Sequence, residues 1–138
     1  MSLIYPDTGV LLALAQGDGR WHAAAVATLG SADVRIVTSD MIWLEVLPST
    51  HGPRGAVLRD IYAAVFQRAS LHHAVDVRTL RLARSIAESS PVGGADAIHA
   101  AAALLAGAAE FVTTEAETKP LHAALPRHGL RVRRLGVP

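Results

Sequence analysis

The chain has no cysteine. That absence excludes disulfide staples, zinc–thiolate sites and thiol nucleophiles, and it agrees with a reducing compartment. A dominant sign of charge is also missing. Thirteen basic residues stand against 12 acidic ones, formally +1, so no global field selects nucleic acid or a membrane surface. Charged residues are scarce at 18 % and hydrophobic ones reach 51 %, which excludes a disordered chain and implies that a partner covers some of the surface. The longest uncharged apolar run, Ala100 to Ala109, is far short of the ~20 residues a bilayer span requires. Gly9 to Gln16 has the apolar character of a signal-peptide core. No Lys or Arg precedes it, however, and Asp7 stands where a basic residue belongs, so a cytoplasmic location with no membrane association is expected. The seven histidines show no H-E-x-x-H spacing, which removes that class of zinc hydrolase.

What is present is an alternation of short β-branched segments with helical ones. Its 138 residues predict one domain, 1–138, with one sizeable core. Strands are expected over 2–5, 34–38, 71–75, 111–113 and 131–135. Helices are expected over 8–15, 21–29, from Ser39 and Asp40 to Leu47 with Pro48 as the stop, and over 56–69, 77–88, 95–106 and 118–127. Strands alternating with helices predict an α/β fold: a mostly parallel sheet with helices on both faces, and ligands beyond the carboxyl ends of the strands.

Four acids fall at the edges of those segments: Asp7, Glu45, Asp96 and Glu115. Asp7 closes Leu3-Ile4-Tyr5, Glu45 interrupts an apolar stretch, Asp96 opens an alanine-rich helix, and Glu115 follows Phe111-Val112-Thr113-Thr114. Carboxylates are seldom buried without a positive partner, and a hard divalent cation is the natural one for an all-oxygen set. Each acid alone has a plainer reading. Asp7 and Asp96 could cap or open helices, Glu45 could lie on a solvent face, and Glu115 could be an ordinary loop acid.

Other residues carry less. His99 lies one helical turn after Asp96 and could reach the same rim, although packing is the commoner role. His72 and His73 alternate across a strand and cannot chelate one ion together. Thr113 could orient a carboxylate or a water. Arg78, Arg81 and Arg84 occupy a solvated helix surface, Arg131, Arg133 and Arg134 blunt an edge strand, and either group could contact RNA. Asp7-Thr8-Gly9 matches the aspartic-protease triplet, but that fold is mostly β and this chain is largely helical.

Four motifs in order give a resemblance over nearly the whole chain. They are Ile4-Tyr5-Pro6-Asp7-Thr8-Gly9-Val10-Leu11-Leu12, Trp43-Leu44-Glu45-Val46-Leu47-Pro48, Gly94-Ala95-Asp96-Ala97-Ile98-His99-Ala100-Ala101, and Phe111-Val112-Thr113-Thr114-Glu115. The chain resembles PIN-domain proteins of the VapC toxin type. The resemblance implies a three-layer α/β/α sandwich with a five-stranded parallel sheet ordered 3-2-1-4-5. It implies RNA cleavage with Mg²⁺ or Mn²⁺, with Asp7, Glu45 and Asp96 as core metal-site acids. Glu115 joins them as the fourth acid, where the family usually has aspartate; the longer side chain displaces the carboxylate by about 1.5 Å and bears on a second metal position. Often another acid follows two residues later, matched here by Glu117. The implied partners are an RNA substrate, a VapB-like antitoxin docked in a hydrophobic groove near the first two helices, and a second copy in a homodimer. Leu11, Leu12, Leu14 and Trp21 are the candidate groove residues. A catalytically silent PIN scaffold that binds RNA or a protein is the alternative.

Overall fold

The computed structural model describes residues 1–17 and 19–136. Strands β1 (Ser2–Pro6), β2 (Val34–Ser39), β3 (Leu71–His73), β4 (Glu110–Thr113) and β5 (Arg131–Arg134) form one parallel sheet in the order β3-β2-β1-β4-β5. The helices are α1 (Thr8–Gln16), α2 (His22–Leu29), α3 (Asp40–Val46), α4 (Gly55–Arg68), α5 (Val77–Ser89), α6 (Gly94–Leu105) and α7 (Pro120–Arg127). They cover both faces of the sheet, giving the PIN-like three-layer α/β/α sandwich that the sequence implies.

The period-2 alternation of strand side chains builds the two faces. Ile4, Ile36 and Val112 pack with Ala25 and Leu29 of α2 on one face. Tyr5, Val37 and Phe111 pack on the other, under side chains of α3, α4, α5, α6 and α7. Tyr5 and Phe111 are register partners on β1 and β4, with rings stacked 5.5 Å apart and both side chains buried. Central strands covered on both sides need continuous apolar sequence, which is why Leu3-Ile4-Tyr5 and Phe111-Val112 do not alternate with polar residues. Strand order reverses between β1 and β4, so a crevice opens at their carboxyl ends. Asp7 and Glu115 follow those two ends.

Several boundaries differ from the sequence expectation. β3 stops at His73 rather than running to Val75, because the Val75 N–H turns away to donate to Asp40 Oδ2 at 2.8 Å. Pro48 does not stop the chain's helical course. A 3₁₀ segment, Leu47–His51, continues from α3 with the proline in its first turn, where a missing N–H is harmless. α4 then begins at Gly55, where any Cβ would collide with the Thr50 carbonyl. α7 begins at Pro120, not Thr118, with the proline at the first helical position. On α5 the buried stripe runs through Thr79, Ala83 and Ile86, leaving Leu80 half exposed.

Candidate metal centre

Four chain segments bring the four carboxylates to one place. Asp7 leaves β1 and caps α1, its Oδ1 accepting the Val10 N–H at 3.3 Å. Its own N–H extends the β-ladder to the Val112 carbonyl at 2.9 Å. Capping and site membership are therefore compatible, because the cap uses only one oxygen. Oδ2 accepts the Thr113 hydroxyl at 2.5 Å, and the Thr113 oxygen accepts the Glu115 N–H at 3.0 Å. The end of β4 is thus folded around Asp7. Gly9 permits this approach, since a Cβ there would run into Thr114 Oγ1 and lie 3.3 Å from Asp7 Oδ1.

Glu45 lies in the last turn of α3, a helix capped by Ser39, whose Oγ accepts the Ile42 N–H at 3.3 Å. Its Oε1 accepts the Thr8 hydroxyl at 2.6 Å and is paired with His99 Nε2. Asp96 sits half-buried in the first turn of α6, where the helix dipole favours an anion. Glu115 is exposed at the mouth. Together with Thr8, Gly9 and His99, these four acids line one cavity of about 110 Å³. At ~30 Å³ of liquid volume per water, that is room for an ion with a partial hydration shell.

No Lys or Arg is ion-paired with any of the four among the described residues; His99 is hydrogen-bonded to Glu45. Burial pushes the Asp7 pKa up to about 6, against the lowering effects of Thr113, His99 and the Val10 N–H, and Glu115 adds a small upward push. Burial also raises Asp96, with Glu115 and Glu45 adding to it. The His99 hydrogen bond holds Glu45 below its ordinary value. For both raised acids desolvation is the leading cause and repulsion among the four anions a lesser one.

The donor set fits a hard divalent cation: carboxylate oxygens, no sulfur, and no Lys or Arg ion-paired with any of the four among the described residues, Lys119 acting on Asp96 only as a lesser influence without a pair. As the side chains stand, no three His, Asp or Glu groups among the described residues converge closely enough to coordinate one ion. Asp7 is turned onto Thr113 and Val10, and Glu45 onto Thr8 and His99. Asp7, Glu45, Asp96 and Glu115 are the residues that would hold the ion.

The sequence reading missed Tyr5, Thr8 and Ser39. Tyr5 reads as one more apolar strand residue, yet its hydroxyl lies 2.7 Å from both Ser39 Oγ and His99 Nδ1. Thr8 had a signal, its adjacency to Asp7, but no spacing ties it to Glu45. His99 is both buried and part of the cluster. Thr113 does orient a carboxylate, as expected. Glu117 turns away to Arg134 at 3.4 Å and lines a different cavity, so it does not join the four. His72 contacts Thr38 and Asp40, and His73 contacts Thr79, so they serve separate partners.

Solved structures share this fold. VapBC2 from Rickettsia felis, bound to a promoter DNA fragment, superposes with a TM-score of 0.71 at 11 % identity, over 96 % of this chain and 98 % of that one. VapBC from Salmonella typhimurium, also DNA-bound, gives 0.68 at 16 % identity, over 97 % and 98 %. Mycobacterium tuberculosis VapC20, a sarcin-ricin loop cleaving toxin, gives 0.64 at 17 % identity, over 78 % and 86 %. No curated protein matches by sequence. The family model described as the PIN domain matches residues 4–119, which takes in Asp7, Glu45, Asp96 and Glu115, and the chain belongs to the PIN domain family.

Proposed function

We propose that the protein is a Mg²⁺- or Mn²⁺-dependent endoribonuclease, the toxin of a toxin–antitoxin pair, cleaving RNA phosphodiester bonds. The observation that carries this reading is the shared cavity: four carboxylates with no Lys or Arg ion-paired to them among the described residues, at the crevice where the sheet order reverses. The likeness to VapC20, named as a sarcin-ricin loop cleaving toxin, supports the substrate class.

A bound divalent ion would lower the pKa of a coordinated water and polarise the scissile phosphate. The chain's own residues prepare for that. Thr113 and the Val10 N–H fix the Asp7 carboxylate, and with a pKa of about 6 it is ionised in most molecules at neutral pH. The Glu115 carboxylate accepts no hydrogen bond among the described residues and stands at the mouth, so it is free to orient a water or follow the substrate, while its backbone carbonyl is held by His122 at 2.9 Å. Asp96 adds charge from the helix end without a direct tether.

Partners follow from two further surfaces. An apolar groove of about 320 Å³ is lined by Leu14, Val26, Leu29, Ile61 and Val65, with Arg68 at its border. It suits the apolar face of a VapB-like antitoxin helix, and the VapBC neighbours support such a partner. Of the expected groove residues, only Leu14 lines it; Leu11 is fully buried in the core. A homodimer is the second assembly, using exposed Val77 and Leu80 on α5.

The deciding experiment incubates purified protein with structured RNA in Mg²⁺, in Mn²⁺ and in EDTA. The reading expects cleavage in metal alone, lost in Asp7→Asn. Cleavage by Asp7→Asn at the wild-type rate would overturn it. RNA and metal binding without cleavage by the wild type would instead make the protein a silent PIN scaffold.

A further inference from the structure

Glu45 is tethered to a hydrogen-bond chain that runs away from the cavity into the core. Ser39 Oγ lies 2.7 Å from the Tyr5 hydroxyl, the Tyr5 hydroxyl lies 2.7 Å from His99 Nδ1, and His99 Nε2 meets Glu45 Oε1. Tyr5 and His99 are 0 % and 3 % exposed, so water does not substitute for these partners. The direction of the chain follows from donor and acceptor chemistry. An ionised carboxylate only accepts, so Nε2 carries the proton that faces Glu45. In a neutral imidazole Nδ1 then accepts, which makes Tyr5 the donor to His99. Ser39 Oγ already accepts the Ile42 N–H, and its own proton completes the chain by donating to the Tyr5 oxygen. Every member is satisfied in this arrangement. A second donor, the Thr8 hydroxyl, reaches the same Glu45 oxygen at 2.6 Å. Oε1 therefore has two donors, while Oε2 has no hydrogen bond among the described residues.

We infer that His99 is a positioning residue: backed by Tyr5 and Ser39, it occupies Glu45 Oε1 and leaves Oε2 as the one oxygen that this residue presents to a metal ion. This rests on the metal-dependent reading above and adds a role for the cavity-lining His99 and for Tyr5 and Ser39 behind it. Hydrogen bonds behind a ligand fix its orientation, and their loss lowers metal affinity even when the ligand remains. A histidine present only for packing would have no such effect.

The test measures Mn²⁺ affinity of the full chain from free Mn²⁺ in electron paramagnetic resonance, with the metal-free melting temperature as a folding check. His99→Leu keeps an apolar filler but no donor, and its Mn²⁺ dissociation constant is expected to rise about 10- to 100-fold. His99→Gln keeps an N–H near the position of Nε2 and should bind within about threefold of wild type. Tyr5→Phe removes only the hydroxyl that fixes the tautomer, so an intermediate loss of roughly three- to tenfold is expected. Unchanged affinity in a folded His99→Leu overturns the inference, as does a Gln variant that binds no better than Leu. Should His99→Leu fail to fold, unchanged affinity in Tyr5→Phe overturns it. Wild type without Mn²⁺ affinity removes the metal reading and this inference together. Wild type that binds, with all variants equal to it, removes this inference alone.

Discussion

β4 carries an acid at each end, and the two ends are treated in opposite ways. At its start, Glu110 is largely buried and faces two arginines of β5, Arg133 at 3.3 Å and Arg131 at 3.8 Å. Just past its other end, Glu115 shares a cavity with Asp7, Glu45 and Asp96, and no Lys or Arg is ion-paired with any of them among the described residues. Two arginines of β5 pair with the acid at the end away from the crevice, and the third, Arg134, pairs with Glu117 and not with Glu115. Neutralised acids hold an edge strand in place. Among the described residues, acids with no Lys or Arg ion pair are the ones that a divalent cation could join.

The largest effect should come from Asp7→Asn, which tests the unneutralised end directly. RNA cleavage is expected to fall by roughly a hundredfold or more, measured as initial rates in Mg²⁺ and Mn²⁺. Stability of the metal-free protein should move the other way. Burial raises the Asp7 pKa from 3.8 to about 6, so the native state holds its proton more tightly than the unfolded chain. That contribution to stability is fully present below pH ~4 and is lost as pH rises through about 6. Denaturation at neutral pH should therefore find Asp7→Asn more stable by about 1–3 kcal/mol. Its stability should also lack the wild-type decline over that pH window. A variant that is less stable at every pH would mean that Asp7 is chiefly a helix cap.

Metal addition comes next. At a hundred times its dissociation constant, Mg²⁺ or Mn²⁺ should add about 2.7 kcal/mol, read as a melting-temperature rise of roughly 10 °C. The rise should be smaller below pH 6, where protons compete for Asp7. Equal shifts for Asp7→Asn and wild type would break the contrast between the two ends of β4.

Glu115→Asp tests a smaller claim. The exposed glutamate reaches the cavity from its mouth, and shortening it by about 1.5 Å should change the rate or the Mn²⁺-to-Mg²⁺ preference a few-fold, with little change in melting temperature. Identical kinetics would make Glu115 a bystander. The smallest effect belongs to the neutralised end. Glu110→Gln leaves Arg133 without its partner and should cost about 1 kcal/mol in chemical denaturation, with cleavage unchanged.

Much of this arrangement is legible in the residue order. Asp7 and Glu115 follow strand ends, Asp96 opens a helix and Glu45 interrupts an apolar stretch, and the carboxyl ends of strands are where a parallel sheet places its working residues. Boundaries set by long-range bonds were less legible. β3 ends early because Asp40, far away in sequence, accepts the Val75 N–H. Glu117 looks like a fifth site acid until Arg134 is seen across the turn. Leu11 and Leu14 are equivalent as letters, yet one is in the core and the other lines a groove.

The sequence by itself determined the alternation of strands and helices, the parallel sheet, and the four acids that gather at its crevice, because hydrophobic periodicity and local capping chemistry are properties of neighbouring residues. Only the tertiary structure decided which acids form no ion pair with Lys or Arg and what lies behind them. Tyr5 meets His99 across 94 residues of chain, and Thr113 meets Asp7 across 106. Burial that raises the Asp7 pKa, and a hydrogen-bond chain that fixes Glu45, exist only once those distant segments share one low-dielectric interior.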